Sequence, residues 1–301
     1  MVRLRLGEFP LMENDRLTDL AYRRTEEPTN VYYTRPLADG IVRVFASSRI
    51  VTPNSVTVVG MLVGIGSAVF LSIGEQPWLR IGALVLQLSS ILDMADGQLA
   101  RKTGTGSEFG RQLDGASDYI VGISLFLGVL VGLYPDAGGR TPMPVVFILV
   151  AAAFAGISLH SLSYDYMKTK FSSIAKTGID SLEQERRDRS KDSESERRPK
   201  RRLKRAAIAL YSRYSEIQHA LLRLPQYEKV EYGPEERFAV LENERVLLRL
   251  FSWIGPTTHL LILSIGALFG DLLAAVVVLA LPMNVYYVVV MMHTRRRARS
   301  Q

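Results

Sequence analysis

The 301-residue chain contains no cysteine, which excludes a disulfide framework, a thiolate metal site and thiol redox chemistry. No N-terminal signal peptide is expected either, because the first residues mix polar and apolar types and the first long apolar run begins only after Asn54. Topology is therefore expected to be set by the apolar segments themselves. No internal repeat is evident. The most basic run, Arg197 to Arg202, has no stacking aromatics interleaved with it and no recognition fold beside it. That argues against a nucleic-acid partner and for attraction to anionic lipid headgroups.

What is present is apolar sequence in long blocks. Hydrophobic residues make up 48% of the chain, although the mean hydropathy is only +0.10 because a highly charged stretch, Glu183 to Arg205, offsets them. Six apolar segments, near 55–73, 79–99, 109–133, 144–166, 247–269 and 271–292, each approach the ~20 residues needed to span hydrocarbon. With the N-terminus cytoplasmic, the loops Gly74 to Trp78, Tyr134 to Pro142 and Phe269 to Asp271 face outward. Only Arg80 and Arg140 of the 37 Lys and Arg then lie outside, as the positive-inside rule requires. The net charge of +7 is accordingly read as membrane-directed, with both termini cytoplasmic in a multi-pass cell (inner) membrane protein.

The expected fold is all-α and integral to the membrane: a six-helix bundle, an interfacial amphipathic helix before it and a charged cytoplasmic insert within it. Residues 1–50 form the N-terminal segment, where Pro36 to Ser48 sets Leu37, Ile41, Val44 and Phe45 on one side of a helix with Asp39 and Arg43 elsewhere. Residues 51–168 and 247–293 form the membrane domain, and 169–246 the insert, where Ala206 to Leu224 has helical periodicity. Thr52-Pro53-Asn54 reads as the start of the first span. Gly255-Pro256 implies a kink in the fifth. Tyr164 and Tyr166, which end the fourth span with Asp165 and Lys168, read as interface anchors, and His160 and His259 as histidines satisfied locally, with acceptor binding the alternative for each of these residues.

Four carboxylates interrupt this apolar pattern. Asp93 and Asp96 are three apart and Asp114 and Asp118 four apart, so each pair projects from one helix face, and Gly104 and Gly106 let the chain reverse between them. Ionisable groups in membrane segments are costly and usually functional. Arg101, Lys102 and Arg111 are too few to neutralise all four, so the carboxylates must protonate or hold cations, and hard oxygen ligands suit Mg2+ or Mn2+. Gly97, Ala100 and Gly110 are small enough for a backbone or planar base to approach, and the planar fork of Arg101 suits phosphate. Glu108 reads as a helix-start acid.

Written as D-x2-D-G-x2-A-R-x8-G-x3-D-x3-D, the stretch from Asp93 to Asp118 resembles the signature of the CDP-alcohol phosphotransferase family at all eight positions. The resemblance covers the membrane core and excludes the insert. It implies a metal-dependent transferase that moves a substituted phosphate from a CDP-alcohol to an acceptor hydroxyl and releases CMP, in phospholipid or polar-headgroup synthesis. By resemblance, Asp93, Asp96 and Asp114 are metal ligands. Asp118 touches the second of two ions and is the base. Gly97, Ala100, Arg101 and Gly110 seat the nucleotide, with Asn54 of the T-P-N element beside it. The acceptor is an alcohol, polyol phosphate or lipid, and a homodimer through the last two spans is implied.

Three other readings are weighed against this one. The flank Leu88 to Leu92 is similar to the membrane domain of archaeal di-myo-inositol phosphate phosphate synthases, whose substrates are both soluble. A cation transporter would place its carboxylates near the bilayer centre, whereas these lie toward the cytoplasmic ends of two spans beside an arginine and glycines. A catalytically silent scaffold would tolerate loss of a motif position, and none is lost.

Overall fold

The computed structural model describes residues 10–48, 50–134, 141–192, 222 and 229–300. The basic run Arg197 to Arg202, Arg140 and all of Ala206 to Leu224 but Leu222 fall outside them. Among the described residues the chain is helical, with one isolated antiparallel bridge between Ile179 and Glu231 and no strand. Six helical stretches are long and apolar enough to cross a membrane. Their outward surfaces are apolar: Val58, Val59 and Leu62, Ile120, Ile123 and Leu127, and Val285, Val288 and Val289 are all exposed. This is the reverse of a water-facing helix surface and marks a multi-pass membrane protein.

The chain divides into two compact units, one of residues 27–160 and 254–288, the other of 1–26, 161–253 and 289–301. In the first, α2 (Arg35–Phe45) follows a short π-helical turn, Asn30–Thr34. It is succeeded by α3 (Pro53–Ser72), α4 (Trp78–Thr103) and α5 (Glu108–Gly132). α2 buries Ala38 and Val42 against Val56, Leu92, Ala95 and Leu99, with Ile41 and Phe45 partly packed. Leu37 and Val44 stay exposed. The apolar stripe expected from the sequence is therefore split between protein packing and an outward surface.

α3 starts in a reciprocal cap: the Thr52 hydroxyl accepts from the Ser55 amide at 3.2 Å, and the Ser55 hydroxyl accepts from the Thr52 amide at 3.0 Å. α4 ends at Gly104, whose φ of +68° is the left-handed conformation glycine adopts without a Cβ penalty. α5 starts at Ser107, whose hydroxyl accepts from the Gly110 amide at 3.0 Å. So short a connection reverses the chain, and both α4 and α5 pack against α3.

These helices cross through small residues, which is how membrane helices gain van der Waals contact without a hydrophobic driving force. A side chain at Gly128 would collide with the carbonyl of Ala68, and one at Gly132 with that of Leu71. Between α3 and α4, Ser89 donates to the Gly60 carbonyl at 2.8 Å and Ser67 to the Gly82 carbonyl at 2.9 Å. One apolar core joins Leu71, Leu86, Val129, Val150, Leu263 and Val276.

The fifth and sixth spans are broken where the sequence has proline. Arg245–Phe269 qualifies as a span by length and composition, but it consists of α9 (Arg245–Ser252) and α10 (Pro256–Phe269). α10 begins at Pro256, and Glu27 caps it from elsewhere in the chain. The carboxylate of Glu27 accepts from the amide of Thr258 at 2.8 Å, from its hydroxyl at 2.9 Å and from the Thr257 amide at 3.3 Å. The last span is likewise α11 (Leu272–Ala280) and α12 (Pro282–Ser300).

The second unit holds α1 (Pro10–Thr25), the far part of α6 (Met143–Thr177), α7 (Ser181–Asp192), α8 (Pro234–Asn243) and α9. At 35 residues α6 runs ~52 Å, beyond the ~30 Å of hydrocarbon. It continues past 168, the boundary drawn from the sequence, because Met167, Phe171, Ile174 and Ala175 keep helical spacing and are all buried. Within the insert Lys170 forms a buried ion pair with Asp180, and the other Asp180 oxygen accepts from the Leu182 and Glu183 amides at 3.1 and 3.2 Å. Glu26 accepts from Tyr164 at 3.2 Å and Lys168 at 3.0 Å, so these two side chains have local partners.

Candidate active site

The hairpin of α4 and α5 brings three of the four motif carboxylates together. Oxygens of Asp93, Asp96 and Asp114 all lie within 4.8 Å of one another. Two oxygens bound to one Mg2+ at ~2.1 Å stand at most ~4.2 Å apart, so a small contraction would let all three share an ion. The donor set, carboxylate oxygen only, also fits Mg2+ or Mn2+. Asp118 lies one turn further along α5, is exposed, and is not part of that compact group.

Asp96 is the buried member, 6% exposed, and it is held from α3. The Thr57 hydroxyl donates to its Oδ2 at 2.5 Å. The same hydroxyl lies 3.1 Å from the Pro53 carbonyl, but its single proton can serve one acceptor at a time. The contact fixes one Asp96 oxygen and leaves the other for a cation, the usual way a supporting hydroxyl orients a metal ligand. Nothing in the sequence marks Thr57 as a supporting residue; the burial of its side chain and its contact with Asp96 do.

A shallow pocket of about 100 Å³ adjoins the carboxylates and is lined by Asn54, Thr57, Asp96, Gly97, Ala100, Gly110 and Asp114, among others. The structure thus gathers Asn54, Gly97, Ala100 and Gly110 in the lining of one pocket. Because Thr52 and Ser55 make the helix cap, the Asn54 side chain is not spent on it. Asn54 Oδ1 instead lies 2.9 Å from where a Cβ on Gly110 would sit, and the Ser107 hydroxyl 3.2 Å. Only a residue without a side chain leaves that mouth open. Arg101 is not among the residues lining this pocket. Its guanidinium lies 3.4 Å from where a Cβ on Gly97 would stand, and the side chain lines a separate groove beside α2. Glu108 occupies the first turn of α5.

The two histidines weighed in the sequence lie against each other. His160 Nδ1 and His259 Nε2 are 3.0 Å apart, His259 Nδ1 is 2.7 Å from the Gly255 carbonyl, and His160 rests on the Tyr287 ring.

Thr57→Val, which keeps the side-chain shape and removes the proton donor, is expected to raise the Mg2+ concentration needed for half-maximal binding by about 10–100-fold. Thr57→Ser should restore it. A metal titration followed by calorimetry reads the effect, and an unchanged titration would remove Thr57 from the site.

Residues 50–179 match the family described as CDP-alcohol phosphatidyltransferase. Over 98 residues the chain is 37% identical to the phosphatidylinositol phosphate synthase of Mycobacterium marinum, an overlap that covers 32% of this chain and 38% of that protein. It is 32% identical over 82 residues to the archaetidylinositol phosphate synthase of Pyrococcus horikoshii, covering 27% and 42%. With the phosphatidylinositol phosphate synthase of Cutibacterium acnes it shares 29% over 147 residues, covering 48% and 64%. The chain spans about two fifths of the length of the first two of these relatives.

Proposed function

We propose that this chain, whose residues 50–179 match the CDP-alcohol phosphatidyltransferase family, transfers a phosphatidyl or related phospho-alcohol group from a CDP-alcohol to an acceptor hydroxyl. The observation that carries the reading is the meeting of Asp93, Asp96 and Asp114 within 4.8 Å beside a pocket walled by Asn54, Gly97, Ala100 and Gly110. In the reaction an acceptor oxygen forms a bond to the β-phosphorus, the bond from that phosphorus to the bridging oxygen breaks, and CMP leaves.

A divalent cation, Mg2+ or Mn2+ and by family resemblance two, would neutralise the diphosphate and the departing CMP when bound by the three carboxylates. The chain's own residues do the rest. Thr57 holds Asp96 in place, and the glycine and alanine wall lets the nucleotide lie against the α4 and α5 backbones. Asp118, on the next turn of α5, accepts the acceptor's proton. The names of the similar proteins favour an inositol phosphate as acceptor. The same reading has the site and both termini on the cytoplasmic side and a homodimer formed through the last two spans.

The test is CMP release by the purified chain in detergent. CDP-diacylglycerol and CDP-polyols are offered as donors against inositol phosphate, glycerol 3-phosphate and free inositol, with Mg2+ or after chelation. Release with one donor and one acceptor, lost on chelation and restored by Mg2+, is expected. Failure to bind any CDP-alcohol in the presence of Mg2+ would overturn the reading.

A further inference from the structure

We propose that the groove between α2 and the end of α4 is a second anion site, separate from the nucleotide pocket, that takes the phosphate of a phosphoester. α2 and α4 meet along an apolar seam, Ala38 and Val42 against Leu92, Ala95 and Leu99. Beyond the seam they part around a groove of about 360 Å³, at the low end of the ~300–1,000 Å³ typical of ligand pockets. Arg35, Asp39 and Arg43 line it from α2, and Gln98, Arg101 and Lys102 from α4. No residue lining this groove lines the pocket beside the carboxylates.

Charge is the first argument. Arg43, Arg101 and Lys102 share the groove with one carboxylate, Asp39, where a purely structural seam would balance opposite signs. A bound anion offsets this surplus of positive charge, and the planar forks of Arg43 and Arg101 suit the oxygens of a phosphate. Gln98 is the second. It is 7% exposed, and among the described residues neither its amide oxygen nor its amide nitrogen has a hydrogen-bond partner. A buried amide left unsatisfied disfavours the folded state unless a ligand completes it. Its nitrogen can donate to a phosphate oxygen, and its oxygen, like the Asp39 carboxylate, can accept from a hydroxyl. The lining thus suits a phosphate that carries an alcohol better than a bare anion.

Two sources offer that chemistry. Leu37 and Val44 are exposed on α2 beside the groove, which sets it at headgroup height if α2 lies in the interface. A glycerophospholipid headgroup is one source and a soluble phosphorylated polyol the other. The proposal does not rest on the transferase reading, and its test uses no turnover.

The full chain is purified in neutral detergent with phosphatidylcholine. Dioleoyl phosphatidylglycerol is added in one arm, and glycerol 3-phosphate or inorganic phosphate in the other. Thermal melting is followed in both, and lipid retention by native mass spectrometry. A ligand of the folded state raises the melting temperature. Stabilisation by phosphatidylglycerol, with its retention over phosphatidylcholine, assigns the lipid; stabilisation by glycerol 3-phosphate alone assigns the soluble phosphoester. In either case the R35Q/R43Q double variant should bind the probe about tenfold or more weakly. Gln98→Leu should melt no lower than the wild type without probe, since it removes an unsatisfied amide, yet lose most of the probe's stabilisation. If the double variant does not fold, Gln98→Leu decides. A response to no probe, or the same response in wild type and in every folded variant, would overturn the proposal.

Discussion

Asp118→Asn is expected to lower CMP release by on the order of 10²–10⁴-fold while leaving Mg2+-dependent binding of the CDP-alcohol within a few fold of the wild type. The asparagine keeps the shape and loses the ability to take a proton. Because Asp118 is not part of the compact group formed by Asp93, Asp96 and Asp114, its neutralisation leaves those three carboxylates in place. Single-turnover release and calorimetric binding of the donor separate the two effects. Equal losses in both would show that Asp118 serves the cation and not the proton, and the division of roles proposed above would fail.

The complementary expectation concerns Asp96→Asn. This substitution removes one of three converging charges and leaves the buried Thr57 hydroxyl facing an amide. Donor binding should lose its dependence on Mg2+, and turnover at fixed Mg2+ should fall by on the order of 10²–10³-fold, the usual cost of losing one electrostatic stabiliser. Excess Mn2+, which binds most oxygen and nitrogen sites more tightly than Mg2+, should recover part of the loss. A variant that binds donor normally and still responds to Mg2+ would place the cation elsewhere.

The parts of this molecule legible in its sequence are those fixed by local spacing. The three- and four-residue intervals of the aspartates, together with Gly104, specify a hairpin that brings carboxylates of two helices together. The six apolar runs recur as six candidate spans. What escaped the sequence depends on partners far away in the chain. Glu27 lies in a segment whose sequence shows no chemistry, yet it caps a helix that begins at Pro256. Thr57 lies three residues after the T-P-N element, but its hydrogen bond needs α3 and α4 at a particular separation. The helix α6 runs on past 168 because lysines end an apolar run without ending a helix. Lys170 finds Asp180, and Phe171 and Ile174 continue the buried face. Arg101 shows the same limit: its place in the motif is clear, but which side of α4 it serves is set by the packing of α2.

The glycine crossing of α3 and α5 has a mechanical consequence. Gly128 is fourteen residues, about 21 Å, along α5 from Asp114, and its contact with the Ala68 backbone acts as a fulcrum for the whole helix. A helix this rigid carries a small tilt at the fulcrum to its far end as a displacement of the carboxylate, and a misplacement of ~1 Å there can cost on the order of 10²-fold in rate. The precision of the acidic cluster is thus guarded at the opposite end of the bundle, by two residues with no side chain.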